Sequence, residues 1–180
     1  GYTQLKEQPT LPASLNTLDC SNNELTALPD LPASLTWLAC SGNKLTNLGS
    51  VSVLTELWSL DCSNNELTAL PDLPENLTQL FCSGNQLTAL PDLPTSLNYL
   101  DCSGNQLTKL ESVSVLTELN TLDCAENQLA ALPELPTSLN DLNCSGNQLT
   151  KLPQLPASLI CLYCSDNELT KLPELPANMG

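Results

Sequence analysis

The chain contains no histidine and no arginine, and a single phenylalanine and a single methionine. Without histidine, the Ser-His and Cys-His couples that activate a nucleophile are unavailable. The same absence, with no second Cys-x-x-Cys pair, argues against the usual zinc ligand sets. Five basic residues, all lysine, stand against twenty acids, for a net charge of −15. A surface of that sign repels phosphate backbones and anionic lipid, so neither nucleic acid nor membrane is an expected partner. Acidic faces also serve simply as soluble faces. No signal peptide or membrane-spanning run is legible. These absences point to a protein that is not an enzyme and uses no cofactor.

What is present is repetition. Leu18 to Pro32 recurs letter for letter as Leu60 to Pro74. The unit is L-x-x-L-x-C-S-x-N-x-L-T-x-L-P-x-L-P-x-S. Full copies begin at Leu15, Leu35, Leu57, Leu77, Leu97, Leu119, Leu139 and Leu159, after a half copy within residues 1–14. Residues 1–180 therefore read as one domain. Most copies have 20 residues. Those starting at Leu35 and Leu97 have 22, because Gly49–Glu56 and Glu111–Glu118 replace the proline-containing half. The two inserts lie 62 residues apart, which implies duplication of a three-copy block. Each unit can bury its apolar side only against a neighbour, so the architecture is a solenoid.

Leucine at slot four and cysteine at slot six alternate with polar or variable residues, the period of a short strand with one face buried. Identical strands at a constant offset stack in parallel. Proline cannot donate to a sheet ladder, so the L-P-x-L-P half is expected to be extended, polyproline-like chain on the opposite side. The Ser-Val-Ser-Val-Leu-Thr-Glu inserts suit a short helical turn there. Each turn buries about six apolar side chains at roughly 1.5–3 kcal/mol each before entropy is subtracted. Asparagine holds slot nine in every copy, Asn23 through Asn167. A buried amide needs partners, and stacked copies provide them as a ladder of side-chain to backbone bonds.

L-x-x-L-x-C-x-x-N-x-L is the leucine-rich-repeat signature. Its continuation into L-P-x-L-P-x-S resembles the repeats of the bacterial secreted effectors of the YopM and IpaH group, while the 22-residue copies resemble internalin-type repeats. The resemblance covers almost the whole chain. It implies a leucine-rich-repeat solenoid with a parallel sheet on the concave side, an extended convex side and almost no α-helix. It also implies protein recognition and, for an effector-like protein, secretion by a bacterium into a host cell. Effectors of this group carry a helical N-terminal cap, and the ligase members add a helical catalytic domain. The chain instead opens on Gly1-Tyr2-Thr3 in mid-repeat and stops at Met179-Gly180. It is therefore read as an excised or engineered repeat region. The recognition part of an effector ubiquitin ligase and a consensus scaffold without a ligand stand as alternatives. Cys164-Ser165-Asp166 matches the C-x-D motif of the ligases but falls in the ordinary repeat frame.

Eight of the nine cysteines form slot six and read as small core hydrophobes in a reducing compartment. Cys161, at outward slot three, is the odd one. Leu11, Leu172 and Leu175 are expected to have a neighbouring turn on one side only, which favours fraying or end-to-end self-association. Asn76-Leu77-Thr78 is a glycosylation sequon that a Leu/Thr/Asn-rich repeat produces by chance.

The informative columns face outward from the strands. Slot three reads Thr17, Trp37, Ser59, Gln79, Tyr99, Thr121, Asp141 and Cys161. Slot five reads Asp19, Ala39, Asp61, Phe81, Asp101, Asp123, Asn143 and Tyr163, and slot two adds Trp58 and Ile160. Every aromatic except Tyr2 lies in these columns, although the core needs none of them. Aromatics do suit a strand face. Yet Trp37, Trp58, Phe81 and Tyr99 come from four consecutive copies, and exposed rings on a rigid sheet have the composition of a binding hot spot. Asp101 and Asp123 share a column in adjacent strands and repel by roughly 1 kcal/mol even in water-like dielectric. Water and salt, a basic group of a partner, or a hard cation such as Ca²⁺ between Asp101 and Asp123 would offset that. The partner-binding candidates are Trp37, Trp58, Phe81, Tyr99, Asp101, Asp123, Asp141 and Tyr163, and the expected partner is a protein with a basic patch.

Overall fold

A computed structural model describes residues 10–49 and 51–177. Among these residues, eight three-residue strands make one parallel sheet in strict chain order. They are β1 (Thr17–Asp19), β2 (Trp37–Ala39), β3 (Ser59–Asp61), β4 (Gln79–Phe81), β5 (Tyr99–Asp101), β6 (Thr121–Asp123), β7 (Asp141–Asn143) and β8 (Cys161–Tyr163). Each occupies slots three to five of its copy, so the period-two alternation marked the strands without a register error. Slot-four leucines align across the sheet, Leu18 on Leu38, Leu38 on Leu60 and so on to Leu142 on Leu162.

Hydrogen bonding continues past the strands. Cys40 N–H donates to the Asp61 carbonyl at 2.7 Å, and Gly42 N–H donates to the Ser63 carbonyl at 2.9 Å. Each turn is thereby tied to the next over slots three to eight, which gives the outward columns a firm base. The proline-containing halves carry neither helix nor strand. In their place the two inserts form 3₁₀ turns, Val51–Val53 and Glu111–Val115. In the 20-residue copies a proline carbonyl closes the turn into the next strand, as when Leu77 N–H donates to Pro74 at 3.1 Å. After the inserts Leu54 and Leu116 accept instead, from Leu57 and Leu119. The two half-turns are therefore interchangeable at their junction with the sheet.

The core is a narrow stripe of leucine and cysteine, with Leu38, Leu60, Leu80 and Leu100 fully buried. The asparagine ladder forms as the frame requires. Asn105 Oδ1 accepts from Leu87 N–H at 3.0 Å, and its Nδ2 donates to the carbonyls of Cys82, Cys102 and Ser103 at 3.0–3.1 Å. No buried side-chain nitrogen or oxygen among the described residues lacks a partner.

The cysteine column needs one correction. Cys40, Cys62, Cys82, Cys102, Cys124 and Cys144 are buried, but Cys20 and Cys164 are only half-buried. Each of those two directly follows an outer strand, β1 or β8, which among the described residues has a paired strand on one side only. All nine thiols are free. Several of the buried ones donate weakly to the next strand, Cys102 Sγ to the Asp123 carbonyl at 3.4 Å for example. Leu172 and Leu175 are exposed.

Candidate functional site

Slot five is first of all a turn-forming position. Asp19, Asp61, Asp101 and Asp123 each accept the backbone N–H two residues on through Oδ1, all at 3.0 Å, and Asn143 does so at 3.2 Å. This is an Asx turn, in which a short acidic or amide side chain satisfies the backbone as the chain leaves the strand. The bond from the Ser21 backbone, with help from its side chain, holds the Asp19 carboxyl below its ordinary range. Ala39, Phe81 and Tyr163 alone depart from the pattern. The sequence signal for these turns is the Asp-Cys pair that recurs at slots five and six, with Ser next in all but the copy of Asp123.

Slot eight was passed over as well. Asn22, Gly42, Asn64, Gly84, Gly104, Glu126, Gly146 and Asp166 all have φ between +52° and +66°. A left-handed residue turns the chain from the sheet edge back toward the core, and glycine or asparagine meets that demand at least cost. Asp166 owes its place to this demand, and Cys164 stands in the thiol column. The C-x-D letters thus follow from the repeat frame itself.

The two ring systems of β4 and β5 meet. Phe81 and Tyr99 have centroids 4.8 Å apart, with their planes inclined at 33°. They touch along the diagonal from slot five of one strand to slot three of the next. Burial first, and then the carboxylates of Asp101, Asp123 and Asp141, push the Tyr99 phenol up. It therefore stays a neutral donor beside an acidic patch. Trp37, Phe81 and Tyr99 are half-buried, whereas Trp58 and Tyr163 are exposed at 44% and 61%. In place of the expected row of exposed rings stand one ring pair, Trp37 on β2 and Trp58 just before β3. Small residues next to large neighbours sink from view on this face: Ser59 is 2% exposed and Ala39 is 4%.

Asp101 and Asp123 are register partners, as expected. Their oxygens have local work. Asp101 Oδ1 also accepts the Ser103 hydroxyl at 2.7 Å, and Asp123 Oδ2 accepts Asn143 Nδ2 at 3.0 Å. No group of three or more His, Cys, Asp or Glu among the described residues is placed to hold a metal ion. Asp141 pairs with Cys161 across β7 and β8. A hydrogen bond to its carboxylate, with some burial, pushes the Cys161 thiol up. The described lysines, Lys44, Lys109, Lys151 and Lys171, all occupy slots ten and thirteen. No basic side chain stands in the outward strand columns, so the sheet face carries acid alone.

A family model for leucine-rich repeats in two copies matches residues 95–137, and a leucine-rich-repeat model matches residues 14–35. Among solved structures, YopM from Yersinia enterocolitica is 36% identical at a TM-score of 0.81, over 96% of this chain and 42% of that one. YopM, a leucine-rich effector protein from Yersinia pestis, is 36% identical at a TM-score of 0.82, over 97% of this chain and 56% of that one. The leucine-rich-repeat domain of a Shigella effector is 29% identical at 0.59, over 87% of this chain and 71% of its own. The chain therefore spans less than three fifths of either YopM chain. No curated protein sequence matches.

Proposed function

We propose, from the premise that the chain is a leucine-rich-repeat protein resembling the repeat region of YopM-type bacterial effectors, that it is a non-catalytic module that docks another protein on its sheet face. The observation that carries this reading is the Phe81–Tyr99 pair. Phe81 stands where most copies place the acid or amide of an Asx turn, so a local stabilising contact has been given up for a ring. Beside the pair lie Asp101, Asp123 and Asp141, whose carboxylates act on the Tyr99 phenol. Aromatic anchors framed by acid suit a basic segment, because rings supply contact area and cation–π attraction while carboxylates speed the encounter. Trp37, Trp58 and Tyr163 extend the docking surface along the sheet. An effector-like setting places the module in the reducing cytoplasm of a host cell.

The test is a pull-down from host-cell lysate with the wild-type chain, Phe81→Ala and Tyr99→Ala, alongside thermal melting of all three. A binding face predicts a protein retained by the wild type, lost from both variants and released by salt, with melting nearly unchanged. Rings that serve only the sheet predict early melting and unaltered capture, which would remove this face as a docking site.

A further inference from the structure

The three-copy duplication repeats more than the inserts. Trp37 of β2 is register-paired with Ser59 of β3, and β3 ends in Asp61. The positions 62 residues on are Tyr99 of β5, register-paired with Thr121 of β6, which ends in Asp123. An aromatic ring, a small hydroxyl residue across from it and a carboxylate at the diagonal therefore recur as a set. Both sets begin on a 22-residue copy, so each stands opposite a 3₁₀ turn, Val51–Val53 or Glu111–Val115. Both carboxylates use Oδ1 for the same kind of turn, Asp61 from Ser63 and Asp123 from Ala125. The intervening β4 has Gln79 and Phe81 and no such set.

We infer that the sheet face is bivalent and takes one extended segment carrying two basic side chains, one over Trp37 beside Asp61 and the other over Tyr99 beside Asp123. This rests on the docking reading above and specifies its partner. Charge supports the choice of occupant, since the outward columns hold carboxylates and no lysine on a chain of net charge −15. A guanidinium or ammonium can lie on a ring face while donating to a neighbouring carboxylate. Spacing supports the extended form. The sets lie three strands apart, about 14 Å at the usual separation of paired strands. An extended chain covers that in about four residues, and an even count returns both side chains to the same face. A helical segment rises only about 6 Å over four residues and cannot match both sets at that spacing.

Joining two weak contacts raises the effective concentration of the second, so the pair binds more tightly than either alone. The test uses synthetic serine/threonine peptides with one arginine, or with two arginines spaced i,i+4 or i,i+5, measured by fluorescence anisotropy at low salt. The i,i+4 peptide is expected to bind at least tenfold more tightly than the single-arginine peptide, and the i,i+5 peptide to lose that gain. Trp37→Ala and Tyr99→Ala are each expected to bring the i,i+4 peptide down to the single-arginine level. Trp37→Phe and Tyr99→Phe keep a ring and are expected to retain most of the gain, which separates a recognition role from a folding defect. Equal binding of all spacings, or sensitivity to Tyr99→Ala alone, overturns bivalency while leaving the docking reading standing. Absence of binding by every peptide overturns the inference, and the lysate experiment then judges the docking reading on its own.

Discussion

The carboxamide of Asn64 fills the space in which a Cβ on Gly84 would stand. The two residues hold slot eight in neighbouring copies, both with left-handed φ, +53° and +63°. Asn22 leans over Gly42 in the same way, and Glu126 over Gly146. An asparagine or glutamate at this slot reaches the next copy and therefore needs a glycine there, whereas a Cβ on Gly104 meets only the backbone of Gly84, at 3.4 Å, and is too short to reach Glu126.

That relationship is testable by a mutant cycle. Gly104→Ala is expected to cost about 1 kcal/mol, the strain of a left-handed alanine. Gly84→Ala is expected to cost more, and Asn64→Gly to recover at least about 0.5 kcal/mol of the excess through coupling of the two sites. Urea unfolding midpoints of the single and double variants measure it. Equal costs at both glycines with no coupling contradict the neighbour rule.

The asparagine ladder makes a larger prediction. Asn105→Ala strips Leu87 N–H of its acceptor and removes donors from three carbonyls, which is expected to cost about 3 kcal/mol. Asn23 is exposed and, among the described residues, bonds only the carbonyls of Cys20 and Ser21. Asn23→Ala is therefore expected to cost under about 1 kcal/mol, within the range of one ordinary hydrogen bond. Similar losses from both variants would show that the ladder is not cooperative across copies.

Thiol labelling reads the solenoid interior directly. In native protein Cys20, Cys161 and Cys164 are expected to react ahead of the six buried thiols, since reactivity follows exposure and thiolate content. Asp141→Asn removes the carboxylate that pushes the Cys161 thiol up, so labelling at Cys161 is expected to quicken in that variant. Mass spectrometry of partly labelled protein resolves the sites. An unchanged Cys161 rate would dissociate the two residues.

Burial pushes the thiols of Cys40 and Cys144 up to about 12, from the ordinary 9.0. A folded pKa above the unfolded one means that the native state holds the proton more firmly. The resulting stability is complete below about 9 and is lost as pH climbs from there toward 12. Under reducing conditions the urea midpoint is expected to fall over that interval, and less steeply in Cys144→Ala. A flat profile above pH 9 would mean that these thiols ionise as easily folded as unfolded.

How far the sequence could be read depended on whether a residue faces its own column or its neighbours. The Leu, Cys and Asn slots repeat because every copy meets the same surroundings, so strands, core and ladder were legible from one unit. Trp37, Phe81 and Tyr99 were expected to be exposed and are half-buried, because that depends on the unlike residues in adjacent strands. Ser59 and Ala39 sink for the same reason. The Asx turns at Asp101 and Asp123 were legible in the Asp-Cys pair that recurs where the chain leaves a strand, since the carboxylate there accepts the backbone N–H two residues on. The left-handed slot eight was concealed by mixed occupancy, with Glu126 and Asp166 where glycine stands in four other copies.

The asparagine ladder also gives the stack a direction in time. Asn105 supplies the acceptor for Leu87 in the copy before it, and Asn127 does the same for Leu107. A copy emerging from the ribosome therefore carries several backbone N–H groups, such as those of Cys82, Gly84 and Leu87, whose acceptors lie in its successor. Folding during synthesis is therefore expected to run one copy behind, each new turn sealing the last. Amide exchange at Leu87, slow with Asn105 in place and fast in a chain that stops short of it, reads that step.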